Sequence, residues 1–399
     1  MSMLTVTSPW PYFLCMLWFL GVVRFFMKGG WGKSSNLKVP LESLRGLCAT
    51  GVFFYHALVV YYSFKTGKIQ EPPSAFYRFL GSAGVDFFFF LSGYLFWNKC
   101  MSEGGIHHLK NFYASRARRI MPAYYVCVAV VLLVCLVRAR FSLHVPPWQL
   151  GAEILCALAF FPGPINGDWQ ASGILLGIAW TLSLEVVFYA LLPFLYRFFR
   201  GYRIVAFVPL LTLIFWKIWG VAPLNNGASG PYTIALFLIR FFAFGFGFGM
   251  LMAFLASKCP RQWMDHLRRR RYSWVPFLFL ACPILLELPR HSLYQFMLLV
   301  IPFFFVVAGN DFFGLLSMRP LLVLGKISYS FYLIHCTVLY VVLHSLNHVV
   351  AVVSLTPMSY WFLVAICGTG TVGLSYFLYR TVELPYMNKA SVLRQSEQK

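Results

Sequence analysis

Residues 41–64 read LESLRGLCATGVFFYHALVVYYSF. From Leu47 to Phe64 the stretch holds no Asp, Glu, Lys or Arg. An α-helix rises about 1.5 Å per residue and the hydrocarbon core of a bilayer is about 30 Å thick, so an apolar run of this length can cross it. Similar runs extend in both directions: Pro9 to Met27, Ser82 to Trp97, Ile120 to Val137, Leu150 to Phe161, Ile174 to Phe198, Ile204 to Trp219, Tyr232 to Leu255, Trp274 to Leu288, Ser292 to Ala308, Leu322 to Leu343 and Tyr360 to Tyr379. Leu150 to Phe161 is short and ends in FPGP, so it reads as a re-entrant or interfacial helix. The expected fold class is all-α, a polytopic membrane helix bundle.

Composition leads to the same class. Of 399 residues, 60% are hydrophobic, 19% aromatic and 11% charged, which leaves too little polar material to coat a soluble globule. Lys and Arg number 33 against 12 Asp and Glu, and the excess lies between the apolar runs. That distribution fits orientation signals and anionic phosphate partners, and it argues against nucleic acid. The ten cysteines are scattered, without CxxC pairs or ligand spacing to His, so neither a disulfide framework nor a metal site is expected. One membrane domain, residues 39–388, is preceded by an additional helix and basic linker in 1–38 and followed by a polar tail in 389–399. Pro9 to Met27 has no basic residues before it and KGGWGK after it, the pattern of a retained helix and not of a cleaved signal peptide.

With the short run set aside, eleven spans alternate so that the basic loops KGGWGKSSNLK, KCMSEGGIHHLKNFYASRARR, RFFRGYR, SKCPRQWMDHLRRRR and NDFFGLLSMRP share one side with the C-terminal tail. The positive-inside bias makes that side cytoplasmic. Arg138 to Arg140 is then the one discordant cluster. No fixed-period repeat and no matched pair of broken helices favours a carrier.

Ionisable residues inside membrane spans are costly and mark candidate sites. His56 lies nine residues beyond Leu47, roughly 14 Å deep, and His335 eight residues beyond Ile327, roughly 12 Å deep. Either imidazole suits proton transfer at neutral pH, or a plain structural bond to a neighbouring helix. Their common depth raises the functional reading of both. Ser328, Tyr332 and His335 form a polar stripe at helical spacing. In NFYASRARRIMP, Arg116 and Arg119 share a helix face at the start of a span, a phosphate clamp or a topogenic charge cluster. Glu42 and Arg45 stand at the mouth of the second span. Asp86 lies at the outer end of the third, with Ser92 and Gly93 deeper. Glu185, flanked by Thr181 and Tyr189, can be hydrogen-bonded along one helix face, either to exchange protons or simply to tie two helices together. GFGFG, Gly245 to Gly249, signals helix packing, and His107, His108, His344 and His348 lie at segment ends without ligand-like partners.

Taken in order, LESLRG with His56, VDFFFFLSGYL, RARRIMP, WTLSLEVVFYALLP, LGKISYSFYLIH and TVELPY resemble the membrane-bound acyltransferase-3 family, typified by O-antigen and other glycan O-acetyltransferases. The resemblance implies a ten-helix core, to which the N-terminal span and the short re-entrant or interfacial helix are additions, with no attached soluble esterase-like domain. It implies acyl-coenzyme A, acetyl-CoA foremost, as a cytoplasmic co-substrate, no permanently bound cofactor, and a carbohydrate or glycan acceptor on the outer side. The family's essential histidine corresponds to His56, and its paired arginines to Arg116 and Arg119. Two departures stand out: Glu42 replaces the usual aspartate, and Val186 follows Glu185 where a second acid is common.

The catalytic set expected is therefore His56, His335 and Glu185. Arg116, Arg119, Arg45 and Glu42 are expected at the donor, and Asp86, Ser92 and Tyr332 at the acceptor. His56 would deprotonate the acceptor hydroxyl or take the acyl group itself. The setting expected is a multi-pass protein of a bacterial inner or plasma membrane. The competing function is a glycan or lipid-linked substrate transporter with intramembrane histidines as proton relays.

Overall fold

The computed structural model describes residues 5–26, 39–161, 163–169, 172–173, 177–201, 203–204 and 240–388. The helices are α1 (Trp10–Phe26), α2 (Val39–Thr66), α3 (Ala75–Glu103), α4 (Leu109–Arg138), α5 (Pro147–Leu158), α6 (Trp180–Phe199), α7 (Gly247–Lys258), α8 (Arg261–Arg268), α9 (Trp274–Leu285), α10 (Leu293–Val307), α11 (Arg319–Lys326), α12 (Ser328–Asn347) and α13 (Pro357–Leu378). π-helical turns, Phe241–Phe246 and Tyr379–Glu383, run into α7 and out of α13. Among the described residues the only β-pairing is an isolated bridge between Ile165 and Asp168.

Among the described residues, seven helical stretches are long and apolar enough to cross a membrane. Large apolar side chains are both buried and exposed: Phe19, Phe53 and Phe90 are fully buried, while Trp10, Leu17, Leu133 and Phe362 are more than half exposed. Apolar exposure of this breadth needs lipid around it. The chain is a multi-pass membrane protein.

α2 and α3 form the centre. α2 packs against α3, α11 and α12, and α3 packs in turn against α7. The α3–α7 approach is set by reciprocal glycines, since a Cβ on Gly93 would collide with the Phe246 carbonyl and one on Gly249 with the Phe90 carbonyl. Small residues of this kind let membrane helices come backbone to backbone. GFGFG is thus packing, as its sequence indicates. α1 belongs to the bundle. Its Phe19 stacks on Phe54, with centroids 5.4 Å apart, and its Trp18 indole donates to Thr369 at 2.9 Å.

Local chemistry explains the ends. Thr356 caps α13 by accepting from the Ser359 amide at 3.2 Å, Ser292 caps α10 likewise, and Gly104 ends α3 at φ +70°.

The structure corrects some boundaries. Leu322 to Leu343 is not one helix; the chain breaks at Ile327 between α11 and α12. Gly325 packs so tightly on the Glu42 carbonyl that no Cβ fits, and that contact seats α11 against the start of α2. Trp274 to Leu288 is shorter than expected, because α9 ends at Leu285 and residues 286–292 turn, with Glu287 and His291 at positive φ. α5 is the expected short helix. Ile204 to Trp219 beyond its first residue, the first part of Tyr232 to Leu255, the basic linker and the polar tail lie outside the described residues.

Gly249→Val is expected to separate α3 from α7. Overpacking a close contact costs about 1–3 kcal/mol, so the purified variant should melt several degrees lower than wild type by differential scanning fluorimetry.

Candidate functional site

The two intramembrane histidines meet. His335 Nε2 on α12 lies 3.1 Å from His56 Nδ1 on α2. His335 Nδ1 is 2.6 Å from the Tyr332 carbonyl, and a carbonyl can only accept. That nitrogen therefore carries the hydrogen and Nε2 keeps the lone pair. His56 Nδ1 is also 3.0 Å from the Val52 carbonyl, so both its neighbours are acceptors and it too is protonated. The lone pair of His56 is left on Nε2. An imidazole held in one tautomer with an acceptor behind it has the arrangement a general base needs, because the acceptor steadies the imidazolium that forms. His335 is fully buried. The Cys336 sulfur lies 3.3 Å from His335 Nε2. Ligand atoms of His56, His335 and Cys336 fall within 4.8 Å of one another, a donor set that could take a soft cation, although each donor is already hydrogen-bonded.

Below the pair, toward the basic end, lies a cavity of about 360 Å³ lined by Glu42, Arg45, Ser92, Arg116, Arg119, Glu185 and Tyr332, among others. Three guanidiniums from two helices face one space. The first turns of α4 supply Arg116 and Arg119 on one face, and the Arg116 guanidinium sits 5.0 Å above the Phe96 ring. Glu185 accepts from the Tyr189 hydroxyl and from Ser92 at 3.1 Å. Thr181, expected beside it, turns instead to the Tyr332 hydroxyl at 3.0 Å. Tyr332 connects the two parts of the site: it lines the cavity, and its ring centroid is 5.6 Å from that of His335.

The profile of the acyltransferase domain family matches residues 40–380. This chain belongs to the acyltransferase-3 family. It is 25% identical over 311 residues to "Putative acetyltransferase ORF330" of Acidianus two-tailed virus, covering 75% of this chain and 83% of the relative. It is 35% identical over 115 residues to "Exopolysaccharide production protein ExoZ" of Rhizobium meliloti, covering 28% of this chain and 33% of that protein. It is 26% identical over 201 residues to "Putative O-acetyltransferase SACOL0978" of Staphylococcus aureus (strain COL), covering 47% and 28%. No solved structure matches the chain.

The acyltransferase thus gathers seven of its ten expected site residues into one cavity and pairs His56 with His335 next to Tyr332. Asp86 stands apart. It is buried toward the opposite end, accepting from His291 Nδ1 at 2.6 Å and from Gln295 Nε2 at 2.6 Å. Burial holds the His291 imidazole below its ordinary range, against the pull of the Asp86 carboxylate. His291 adopts φ +52°, a strained conformation that tertiary contacts must maintain. Nothing in the sequence around His291 gave it away, since it lies in a turn between two apolar runs.

Three further residues have partners that residue order does not reveal. Arg138 pairs with Asp168 at 3.2 Å and donates to Tyr340, so half of the discordant outer cluster is neutralised locally. His344, read as a segment-end residue without ligand-like partners, lies 3.2 Å from the Arg138 guanidinium and stacks on Tyr340 with centroids 5.1 Å apart. Glu383, in the TVELPY segment, is turned inward by the second π turn, where it accepts from Ser330 and shares the electrostatic neighbourhood of Arg119.

Asp86→Ala leaves the His291 and Gln295 donors buried without an acceptor. Orphaned buried groups cost about 1–3 kcal/mol each, so a clear drop in thermal midpoint of the purified variant is the expected result.

Proposed function

We propose that this acyltransferase moves an acyl group, acetyl foremost, from acyl-coenzyme A on the cytoplasmic side to a hydroxyl of a carbohydrate that arrives from the other side of the membrane. The observation that carries this reading is the position of Tyr332, which lines the arginine cavity while its carbonyl meets His335 Nδ1 beside His56. The names of the relatives, acetyltransferase, O-acetyltransferase and exopolysaccharide production protein, support the acyl group and the acceptor class. Positive-inside orientation of the basic loops supports the sidedness, in a plasma or bacterial inner membrane.

In this mechanism Arg45, Arg116 and Arg119 hold the phosphates of the donor, with Glu42 and Glu185 balancing their charge when the cavity is empty. The pantetheine arm runs inward past Tyr332 and presents the thioester carbonyl to His56. His56 Nε2 takes the proton of the acceptor hydroxyl as its oxygen attacks the carbonyl carbon. The carbon–sulfur bond breaks, an ester carbon–oxygen bond remains, and the thiolate recovers the proton from His56. His335 keeps the His56 ring oriented throughout. The donor is a co-substrate, and the scheme needs no resident cofactor.

His56→Ala is expected to lower transfer by about 10²–10⁴-fold, the usual contribution of a general base, with donor binding retained. Wild-type-like labelling of a glycan from radioactive acetyl-CoA by that variant would rule the role out. Arg116→Ala combined with Arg119→Ala should raise the KM for acetyl-CoA far more than for a short acetyl thioester without phosphates; equal loss with both donors would remove the clamp. Movement of unmodified glycan across vesicles, without acylation, would place the protein among carriers instead.

A further inference from the structure

The arginine cavity has a neighbour. A second cavity of about 740 Å³ adjoins it at the basic end, sharing Phe96, Lys99 and Phe112 with it and adding Glu103, His107, His108 and Lys110 among its lining. The α3–α4 turn builds it. Gly104 at φ +70° and Gly105 at φ +133° reverse the chain tightly enough that Lys99, near the end of α3, and Lys110, at the start of α4, line one space.

We propose that this second cavity holds the nucleoside end of the donor, with Lys99 and Lys110 contacting the phosphate on the ribose 3′ position. The inference rests on acyl-coenzyme A being the donor and extends that reading to residues outside the clamp.

Length along α2 supports it. Arg45 precedes His56 by eleven residues of one helix, roughly 16 Å. With the thioester at His56, the other end of the pantetheine arm, the diphosphate, falls at the level of Arg45, Arg116 and Arg119. The adenosine and its own phosphate are attached beyond the diphosphate, so they extend further toward the basic end, where the adjoining cavity opens.

The lining chemistry agrees. A phosphomonoester is compact and highly charged, and lysine meets it as a mobile point charge. Lys99 Nζ is 3.8 Å from Glu103 Oε1 in an exposed pair, a weak and salt-screened contact that a phosphate displaces readily. Glu103 is the one carboxylate in the lining and opposes the ligand. Its carbonyl accepts from His107 Nε2 at 2.8 Å, which steadies the turn.

The test compares acetyl-CoA with acetyl-3′-dephospho-CoA as donors for the full chain in lipid nanodiscs. Wild type should show a KM about ten-fold lower for acetyl-CoA, the size of one charge-assisted contact. Lys99→Ala with Lys110→Ala should bring the ratio of the two KM values close to one, Lys110→Arg should preserve it, and Glu103→Gln should widen it. A ratio that survives in the double variant overturns the placement. So does a wild type that uses both donors equally well, and in either case the donor reading still stands. A wild type that cannot use acetyl-CoA at all overturns the donor reading and this inference with it.

Discussion

The contact between His335 Nε2 and His56 Nδ1 holds the site together, and everything around it serves to keep two helices in register. Its geometry depends on α2, which is packed on one side by α3 and on the other by α11 and α12. The break at Ile327 matters here. It lets α11 lie with Gly325 against Glu42 while α12 starts afresh, with Tyr332 and His335 directed at α2 and the cavity. A single straight helix from Arg319 would tie the pose of Gly325 to that of His335.

Lipid offers nothing to a polar group, so each such group must find its partner within the bundle. Glu185 is met by Tyr189 and Ser92, Glu383 by Ser330, and Asp86 by His291 and Gln295. The exception in kind is the arginine cavity, where Arg45, Arg116 and Arg119 line one space with the carboxylates of Glu42 and Glu185, and Glu383 lies near Arg119. Positive charge gathered at such cost next to a void is hard to explain by structure alone, and it is why an anionic ligand fits the reading.

Much of this was legible from residue order. Apolar run length located the long spans, and ordinary helical rise placed His56 and His335 at one depth before any contact was known. Helical spacing put Arg116 and Arg119 on a common face. What escaped were pairings across long stretches of chain: Arg138 with Asp168 and His344, Asp86 with His291, Glu383 with Ser330. Local periodicity carries no information about which distant helix lies opposite. His291 shows this plainly, because a histidine in a short turn looks like solvent-facing loop until the turn folds back onto α3. The break at Ile327 was hidden for a different reason, since apolar residues run on either side of GKIS and the contact of Gly325 with another helix beside the break cannot be read from residue order.

Asp86, His291 and Gln295 stand at one end of the bundle and the three arginines near the other, with the imidazole pair between. Such a division keeps the hydrogen bonds of each mouth separate, so the loss of Asp86 unseats His291 and Gln295 while the residues that line the guanidinium cavity keep their own partners.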